Sequence, residues 1–369
     1  MSSSDFEFRE ARETDLPALA AFFRRAYGET TVFQDHAFLR WYFLRPNGEA
    51  GLESLVAVKL DGTVAAHYGG LTGRLLLRGR PVSMVWGANA FTLPEYRGSG
   101  LGGLLVEQMM ERHDVFGVIG FTPKTAEFYS QSGFNVFGQQ RFVRHTLALS
   151  DAMYDVARAI GTDEERLRKL LPATAGAFTG EGATLVGPEM ARELSWPISG
   201  PFEATTFRDL PYLQRRFFAH PYIRYQCLAV LEGREVRAAL FTRREALPPT
   251  EHAVVRIVDL FGEVSHMPAL LRAAAAQARI AGACFVDAAL FGEAYASSLA
   301  EAGFVALRED DAALLPQVTA PIEARPNQEY LGLFSRRYSS EIGSLAEVHF
   351  TRADSDRDRI ARLSQIPKS

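Results

Sequence analysis

Apolar residues recur along the chain at strand and helix spacing, in an order that predicts a mixed α/β fold. The alternating stretch Phe6–Ala11 predicts a strand, and the helical spacing that follows continues into a second, aromatic helix at Ala37–Leu44. Two strands are predicted within Ser54–Leu71, joined at the turn pair Asp61-Gly62, and two more are predicted within Arg74–Leu93. The pattern therefore indicates antiparallel strands flanked by helices.

A glycine-rich stretch, PEYRGSGLG (Pro94–Gly102), leads directly into the next predicted helix, Leu101–His113. The wholly apolar run Phe116–Phe121 is typical of a strand buried in a mixed sheet. A helix at Lys124–Gln131 and further strands complete this order of elements. We expect a first domain at residues 1–149.

The second half of the chain repeats the pattern of the first half. After a helical and irregular linker at 150–203, the stretch Cys227–Leu240 repeats the first hairpin, turn included. The matching elements stay about 170 residues apart, and a period that long indicates a duplicated domain. The second domain, 204–369, has no arginine-glycine cluster and carries Leu299 where the first carries Tyr129.

Composition excludes several classes of partner. The formal net charge is -4, which gives no general attraction for nucleic acid or anionic lipid. No apolar run approaches the roughly 20 residues of a membrane-spanning helix, and we expect neither a membrane partner nor a signal peptide. Cys227 and Cys284 lie in apolar runs and are predicted to be buried thiols, which favours the reducing cytoplasm. The oligomeric state is left open.

The glycine-rich stretch predicts an anion site. Gly98, Gly100 and Gly102 leave backbone N–H groups unobstructed where a helix begins, and the helix dipole adds positive charge there. Arg97 adds a forked donor suited to phosphate oxygens. An ordinary glycine-rich turn is the alternative. No GK[ST] pair is present for a P-loop, and no G-x-G-x-x-G with a later acidic residue for a dinucleotide fold.

Two ordered motifs resemble those of the GCN5-related N-acetyltransferase (GNAT) superfamily. TLPEYRGSGLGGLLVEQMME is similar to its acyl-CoA loop, R/Q-x-x-G-x-G/A, through Arg97, Gly100 and Gly102. TPKTAEFYSQSGF (Thr122–Phe134) resembles its second signature, a helix with an aromatic-tyrosine pair that runs into Gly-Phe. The resemblance covers about residues 6–149 well and the second half weakly. It implies two tandem GNAT-like domains, each a mixed, mostly antiparallel sheet flanked by helices, the second one degenerate.

The resemblance also implies an activity and a cofactor site. The expected enzyme is an N-acyltransferase in which a small-molecule primary amine attacks acetyl-CoA or another acyl-CoA directly, without a metal. The pantetheine would pair with the strand before the loop, where a backbone N–H would serve as the oxyanion donor. Thr122 stands where many relatives have an asparagine that contacts the cofactor. The implied cofactor-binding residues are Ala90, Phe91, Thr92, Arg97, Gly98, Ser99, Gly100, Leu101, Gly102 and Thr122.

The catalytic residues are less well defined by the sequence. Tyr129 lies where the family has its thiolate-protonating tyrosine, and the alternative is a core tyrosine. Asn89 cannot take a proton, and His67 and His145 fit better as strand-surface or core histidines. Asp259 lies in an apolar strand, where it either acts as base or acceptor-binding residue or has a structural partner. A water relay without a dedicated base also remains open.

Two segments bear on the acceptor. Ala219–Tyr225 combines histidine, arginine and tyrosines, which suits a base or sugar carrying phosphate, or else packs on its own sheet. The tail His349–Arg359 alternates aspartates with arginines, which disfavours a metal and predicts a solvated, partly disordered segment. The tail and the tandem layout resemble proteins of bacterial surface-polysaccharide pathways that N-acylate nucleotide-linked amino sugars, and this resemblance implies such an amino sugar as acceptor. The alternatives are an acetyltransferase for a small amine, amino acid or antibiotic, a peptidoglycan-bridge aminoacyltransferase, and a non-enzymatic acyl-CoA sensor.

Overall fold

The computed structural model describes residues 5–45, 51–121, 123–137, 142–174, 178–179, 182–197, 200–319, 322–323 and 330–366. These residues form a large mixed sheet of 16 strands with helices packed against it, and a separate two-stranded hairpin. The predicted α/β class, with mixed and mostly antiparallel strands flanked by helices, is confirmed.

In the described part of the first half there are seven strands and four α-helices. Its strands are β1 (Phe6–Glu10), β2 (Ser54–Lys59), β3 (Val64–Leu77), β4 (Arg80–Thr92), β5 (Val115–Phe121), β6 (Asn135–Val136) and β7 (Val143–Ala148). Its helices are α1 (Leu16–Tyr27), α2 (His36–Phe43), α3 (Leu101–Met110) and α4 (Pro123–Gln131). The prediction of four strands between Ser54 and Leu93 is wrong, because the structure has three strands there, β2, β3 and β4. The β3–β4 ladder continues without a break through Leu71↔Trp86 and Arg74↔Ser83, so β3 is one long strand.

The linker is more ordered than its composition predicts. Its elements are α5 (Ala152–Ala159), α6 (Glu164–Leu170), β8 (Thr184–Val186) and α7 (Pro188–Glu193). β8 joins the large sheet by pairing with the strand at Gln226–Glu232.

The second half repeats the central part of this order, three strands followed by helix, strand, helix and strand, and adds further elements after it. Its strands are β9 (Ala204–Thr206), β10 (Gln226–Glu232), β11 (Glu235–Ala246), β12 (Ala253–Gly262), β13 (Phe285–Phe291), β14 (Val305–Leu307), β15 (Val318–Thr319), β16 (Ile322–Glu323), β17 (Tyr330–Phe334) and β18 (Val348–Thr351). Its helices are α8 (Leu210–Leu213), α9 (Met267–Ile280), α10 (Ala296–Glu301) and α11 (Ser339–Gly343). The pairing repeats as well, since β4 runs parallel to β5 and β12 runs parallel to β13.

Strands of each half pair with strands of the other half. β7 pairs antiparallel with β13 and β14, although it lies within the predicted first domain. β17 pairs antiparallel with β5 and β6 in return. Neither half therefore completes its part of the sheet alone, and the two pack as one body.

The start of the tail after β18, at 352–360, is largely buried between the halves, so the prediction of a solvated segment is wrong. Asp354 and Asp358 are both buried. Asp354 accepts from the Arg208 guanidinium at 3.2 Å, and an Asp358 oxygen lies 2.7 Å from Arg243 Nε. Buried charges persist where they are paired in this way.

Both cysteines are buried free thiols, as predicted. Among the helices described, none is long and apolar enough to cross a bilayer.

Candidate functional site

The glycine-rich loop connects β4 to α3. After a single turn at Pro94–Tyr96 the chain passes through Gly98 and Gly100, with φ angles of 81° and 78°. Glycine adopts this left-handed region without the steric penalty that a side chain brings. A Cβ built at Gly98, Gly100 or Gly103 would meet nothing within 4 Å. Packing does not explain these glycines, and the space above the loop is open.

The main-chain donors of this loop are unpaired. The N–H of Arg97 donates to Pro94 O and that of Leu104 to Gly100 O, while those of residues 98–103 find no protein acceptor among the described residues. They lie at the N-terminus of α3, where the helix dipole adds partial positive charge. Consecutive free donors with a positive dipole form a cradle for an anion, as the sequence predicts.

Arg97 extends this positive charge toward the end of β4. Its Nε donates to the carbonyl oxygen of Thr92 at 3.2 Å, and its guanidinium lies 5.4 Å from the centre of the Phe91 ring. The guanidinium is therefore held beside the last residues of β4 while the side chain stays exposed.

β4 and β5 separate on the side where the loop lies. Their parallel pairing runs from Met84↔Val115 to Trp86↔Gly117 and ends there. Beyond that point β4 pairs with β3 and β5 with β17, so the edge of Ala90–Thr92 facing β5 has no strand partner among the described residues. A register shift marks β4 here, and Asn89 has a φ of 54°. The separated strands form a V-shaped opening whose free edge can pair with an extended ligand.

Tyr129 reaches this opening from α4 and meets a second tyrosine. Its hydroxyl hydrogen-bonds with the Tyr68 hydroxyl at 2.9 Å, and its ring packs against Phe121 and Phe134. Burial raises the pKa of both phenols, that of Tyr68 well above its usual value, so both are neutral at pH 7 and can donate a proton.

Tyr68 was missed by the sequence reasoning. A Cβ built at Gly87 would lie 2.7 Å from the Tyr68 hydroxyl oxygen, which places that hydroxyl against the β4 main chain near the vertex of the opening. No local pattern indicates it, because its neighbours Gly87 and Tyr129 are distant in the chain.

Among the other predicted catalytic candidates, Asp259 and His67 are hydrogen-bonded to neighbouring groups. Asp259 is fully buried, bonded to Arg208 Nε at 2.8 Å and to the Thr351 hydroxyl at 2.9 Å, and these contacts fit the structural alternative. His67 lies 3.0 Å from Asn89 O and 3.1 Å from Ser54 Oγ. Burial lowers the pKa of His67 and that of His145 to about 4 each, so both are neutral at pH 7. Thr122 lies outside the described residues.

The residues of the predicted acceptor segment, Ala219–Tyr225, differ in their surroundings, because some are bonded within the protein and others line a cavity. The Tyr222 hydroxyl donates to Asp35 Oδ1 at 2.7 Å, and the His220 ring accepts from backbone N–H groups. Arg224 is exposed and lines, with Tyr222 and Arg244, a cavity of about 520 Å³. No group of three or more metal-ligating side chains occurs in the part of the chain that the structure describes.

A family comparison fits this geometry. Residues 7–137 match the family model "Acetyltransferase (GNAT) domain". This part of the chain is therefore similar to a GNAT domain. The match spans the cradle, the V-shaped opening and Tyr129. Among curated proteins no match is found.

Solved structures resemble the whole chain rather than this domain alone. A GCN5-related N-acetyltransferase from Anabaena variabilis is 11% identical with a TM-score of 0.52, covering 89% of this chain and 72% of its own. One from Kribbella flavida is 15% identical with a TM-score of 0.51, covering 90% and 72%. The Saccharomyces cerevisiae N-myristoyltransferase with bound myristoyl-CoA is 12% identical with a TM-score of 0.53, covering 90% and 78%. At these identities the likeness shows the fold.

Proposed function

We propose that the chain is a GNAT-type N-acyltransferase that transfers an acyl group from acyl-CoA to a primary amine by direct attack. The observation that carries this proposal is the row of free N–H groups at residues 98–103, beside Arg97 and facing open space. This cradle suits the diphosphate of coenzyme A, and the free edge of β4 next to it suits the pantetheine.

Different residues perform the different steps of the proposed acyl transfer. The free edge at Ala90–Thr92 aligns the thioester, and a main-chain N–H there stabilises the oxyanion, a contribution of about 3–4 kcal/mol where such a donor has been removed elsewhere. The amine nitrogen forms a bond to the carbonyl carbon, and the carbon–sulfur bond breaks. Tyr129 donates its proton to the departing thiolate, and Tyr68 keeps the phenol oriented.

We propose acetyl as the acyl group. The vertex of the opening is filled by aromatic side chains, since a Cβ at Gly87 would lie 2.8 Å from Phe116 and 2.7 Å from Tyr68. Both side chains belong to a buried core cluster, which leaves room for a short acyl group against the β4 main chain.

We propose that 1–149 and 204–369 are tandem GNAT-like domains joined by the linker 150–203. The repeated order of strands and the reciprocal exchange of β7 and β17 support this interpretation. Between β12 and α9 the second copy has the short turn Val264–His266 where the first copy has the glycine-rich loop. We therefore assign the second copy to binding of the acceptor rather than of acyl-CoA. The free thiols of Cys227 and Cys284 support the cytoplasm as compartment.

The acceptor is proposed as a small-molecule primary amine. The cavity lined by Tyr222, Arg224 and Arg244 supports a nucleotide-linked amino sugar as the acceptor, because exposed arginines suit the phosphates of its nucleotide. A release assay for CoA across glucosamine, L-lysine, putrescine, kanamycin and a UDP-linked amino sugar tests the proposal. Amine-dependent release that is lost in an Arg97→Ala/Gly100→Val variant supports it. Binding of acetyl-CoA without release for any amine would instead favour a sensor.

A further inference from the structure

The buried tail crosses the V-shaped opening. On one side the Ser355 hydroxyl donates to the carbonyl oxygen of Gly87 at 3.4 Å. On the other side the Arg357 guanidinium lies against Gly120, where a Cβ would be 2.6 Å from Nη1. Gly87 belongs to β4 and Gly120 to β5, close to the last pair, Trp86↔Gly117. Asp356 sits between these two anchors and therefore lies at the opening itself.

Asp356 differs from the two other aspartates of its segment. Asp354 accepts from the backbone N–H of Thr351 at 2.6 Å as well as from Arg208, and Asp358 accepts from the Tyr225 hydroxyl at 2.6 Å beside Arg243. The ion pair of Asp356 with Arg359 is longer, 3.8 Å, and its side chain remains 21% exposed. The carboxyl group of Asp356 therefore makes the weakest contacts of the three aspartates and is accessible to solvent.

Two buried polar groups lie near Asp356 and have no partner besides each other. The hydroxyl of Tyr42, a residue 4% exposed, interacts with the Asn89 side chain, and neither the hydroxyl nor Asn89 Nδ2 makes a hydrogen bond of good geometry to another group among the described residues. Tyr42 lies within electrostatic reach of Asp356, and it lines with Ser355 a cavity of about 60 Å³. Buried polar groups are normally well bonded, so a pair that has only a weak contact with each other, beside an accessible carboxyl group, points to a missing polar ligand.

We propose that Asp356 binds the ammonium group of the acceptor and accepts its proton, with Tyr42 and Asn89 completing the amine subsite. This inference rests on the proposed function and names its base. The ammonium gives one proton to Asp356, and the free amine forms the carbon–nitrogen bond as the carbon–sulfur bond breaks. Tyr129 supplies its proton to the thiolate and is restored by the second proton that the nitrogen loses, while Asp356 releases the first proton to solvent. One thioester and one ammonium give one amide, one thiol and one released proton.

The surroundings of Asp356 suit this role. Tyr27 from α1, Tyr42 from α2 and Tyr68 from β3 lie within electrostatic range of it as neutral phenols, and Arg359 is the cation beside it. Burial raises the pKa of the Asp356 carboxyl, against the opposing effects of Arg359 and Ser355. A carboxylate with a raised pKa is a better base, and kcat/KM should rise with pH as it loses its proton.

The test is Asp356→Asn in the full chain, compared with Glu347→Gln, an exposed acid ahead of β18. The probe amine is the one with the fastest CoA release from acetyl-CoA in the panel above. Asp356→Asn should lower kcat/KM for that amine about a hundredfold and flatten its pH profile, with the acetyl-CoA Kd within twofold. Asp356→Glu, which keeps the carboxylate, should retain more activity than Asp356→Asn. Glu347→Gln should match the wild type.

Hydrolysis of acetyl-CoA without amine gives a second measurement, because water then takes the place of the amine. Wild-type kcat/KM and pH profile in Asp356→Asn, or an equal loss in Asp356→Glu together with a lower unfolding temperature, would overturn the inference. A wild-type chain that binds acetyl-CoA but neither transfers nor hydrolyses it would overturn the proposed function and the inference with it. The two failures are therefore distinguishable.

Discussion

Removing the Tyr129 hydroxyl tests the proton donor of the proposed reaction. The change Tyr129→Phe keeps the ring, whose centre lies 5.1 Å from that of Phe121 and 4.8 Å from that of Phe134. It deletes the 2.9 Å hydrogen bond with Tyr68, which contributes about 0.5–1.5 kcal/mol to the free energy of unfolding. General acid catalysis contributes about 10²- to 10⁴-fold, and less for a thiolate, which departs more readily than an alkoxide. We expect kcat to fall about tenfold to hundredfold.

The matched control is Tyr68→Phe, which deletes the same hydrogen bond and leaves the Tyr129 hydroxyl in place. Both variants should lose similar amounts of unfolding free energy, measured by chemical denaturation. The assay is continuous detection of released CoA at saturating acetyl-CoA, with the acetyl-CoA Kd measured by calorimetry. Tyr129→Phe should lose more activity than Tyr68→Phe at unchanged Kd. Equal activities of the two variants, or wild-type turnover in Tyr129→Phe, would refute the donor role.

Three further predictions concern the cradle and the buried charges. Arg97→Ala with Gly100→Val should weaken CoA binding at least tenfold in calorimetry, because a Cβ at Gly100 enters open space above the donors, and should lower the unfolding temperature, because valine is strained at a φ of 78°; retained affinity of the folded protein would contradict this. Asp287→Ala should lower the unfolding free energy by about 3–5 kcal/mol, because it leaves Arg144 and Arg256 buried without their carboxylate, 2.5 and 2.8 Å away. Those arginines hold the pKa of Asp287 below its usual value, so its stabilising contribution is present at neutral pH and is lost as pH falls below about 4 through the lowered pKa; an acid limb unchanged in Asp287→Asn would exclude this. Asp259→Asn should lower the unfolding temperature, while kcat per folded molecule stays near the wild-type value. A selective loss of kcat would instead indicate that Asp259 is the catalytic base.

The parts of the site that depend on local sequence could be predicted. The left-handed glycines Gly98 and Gly100, and the helix that begins at Leu101, follow from residues next to one another in the chain. The hairpin turn at Asp61-Gly62 was predictable for the same reason, with Gly62 at a φ of 83°.

Features that join distant segments were not predictable from the pattern. The exchange of β7 and β17 depends on which edge each strand reaches, and an apolar strand pattern does not specify its partner. The Tyr68–Tyr129 pair joins residues 61 positions apart. The tail looked like a solvated charge run because its partners, among them Arg208 and Arg243, lie more than a hundred residues away.

The most direct measurement is a pair of calorimetric titrations of the wild-type chain, one with CoA and one with pantetheine, which lacks the diphosphate. If the N–H groups of residues 98–103 and Arg97 bind the diphosphate, CoA should bind at least a hundredfold more tightly than pantetheine, since hydrogen bonds to charged groups contribute about 1.5–3 kcal/mol each. Equal affinities for the two ligands, or no binding of CoA, would contradict the assignment of the cradle.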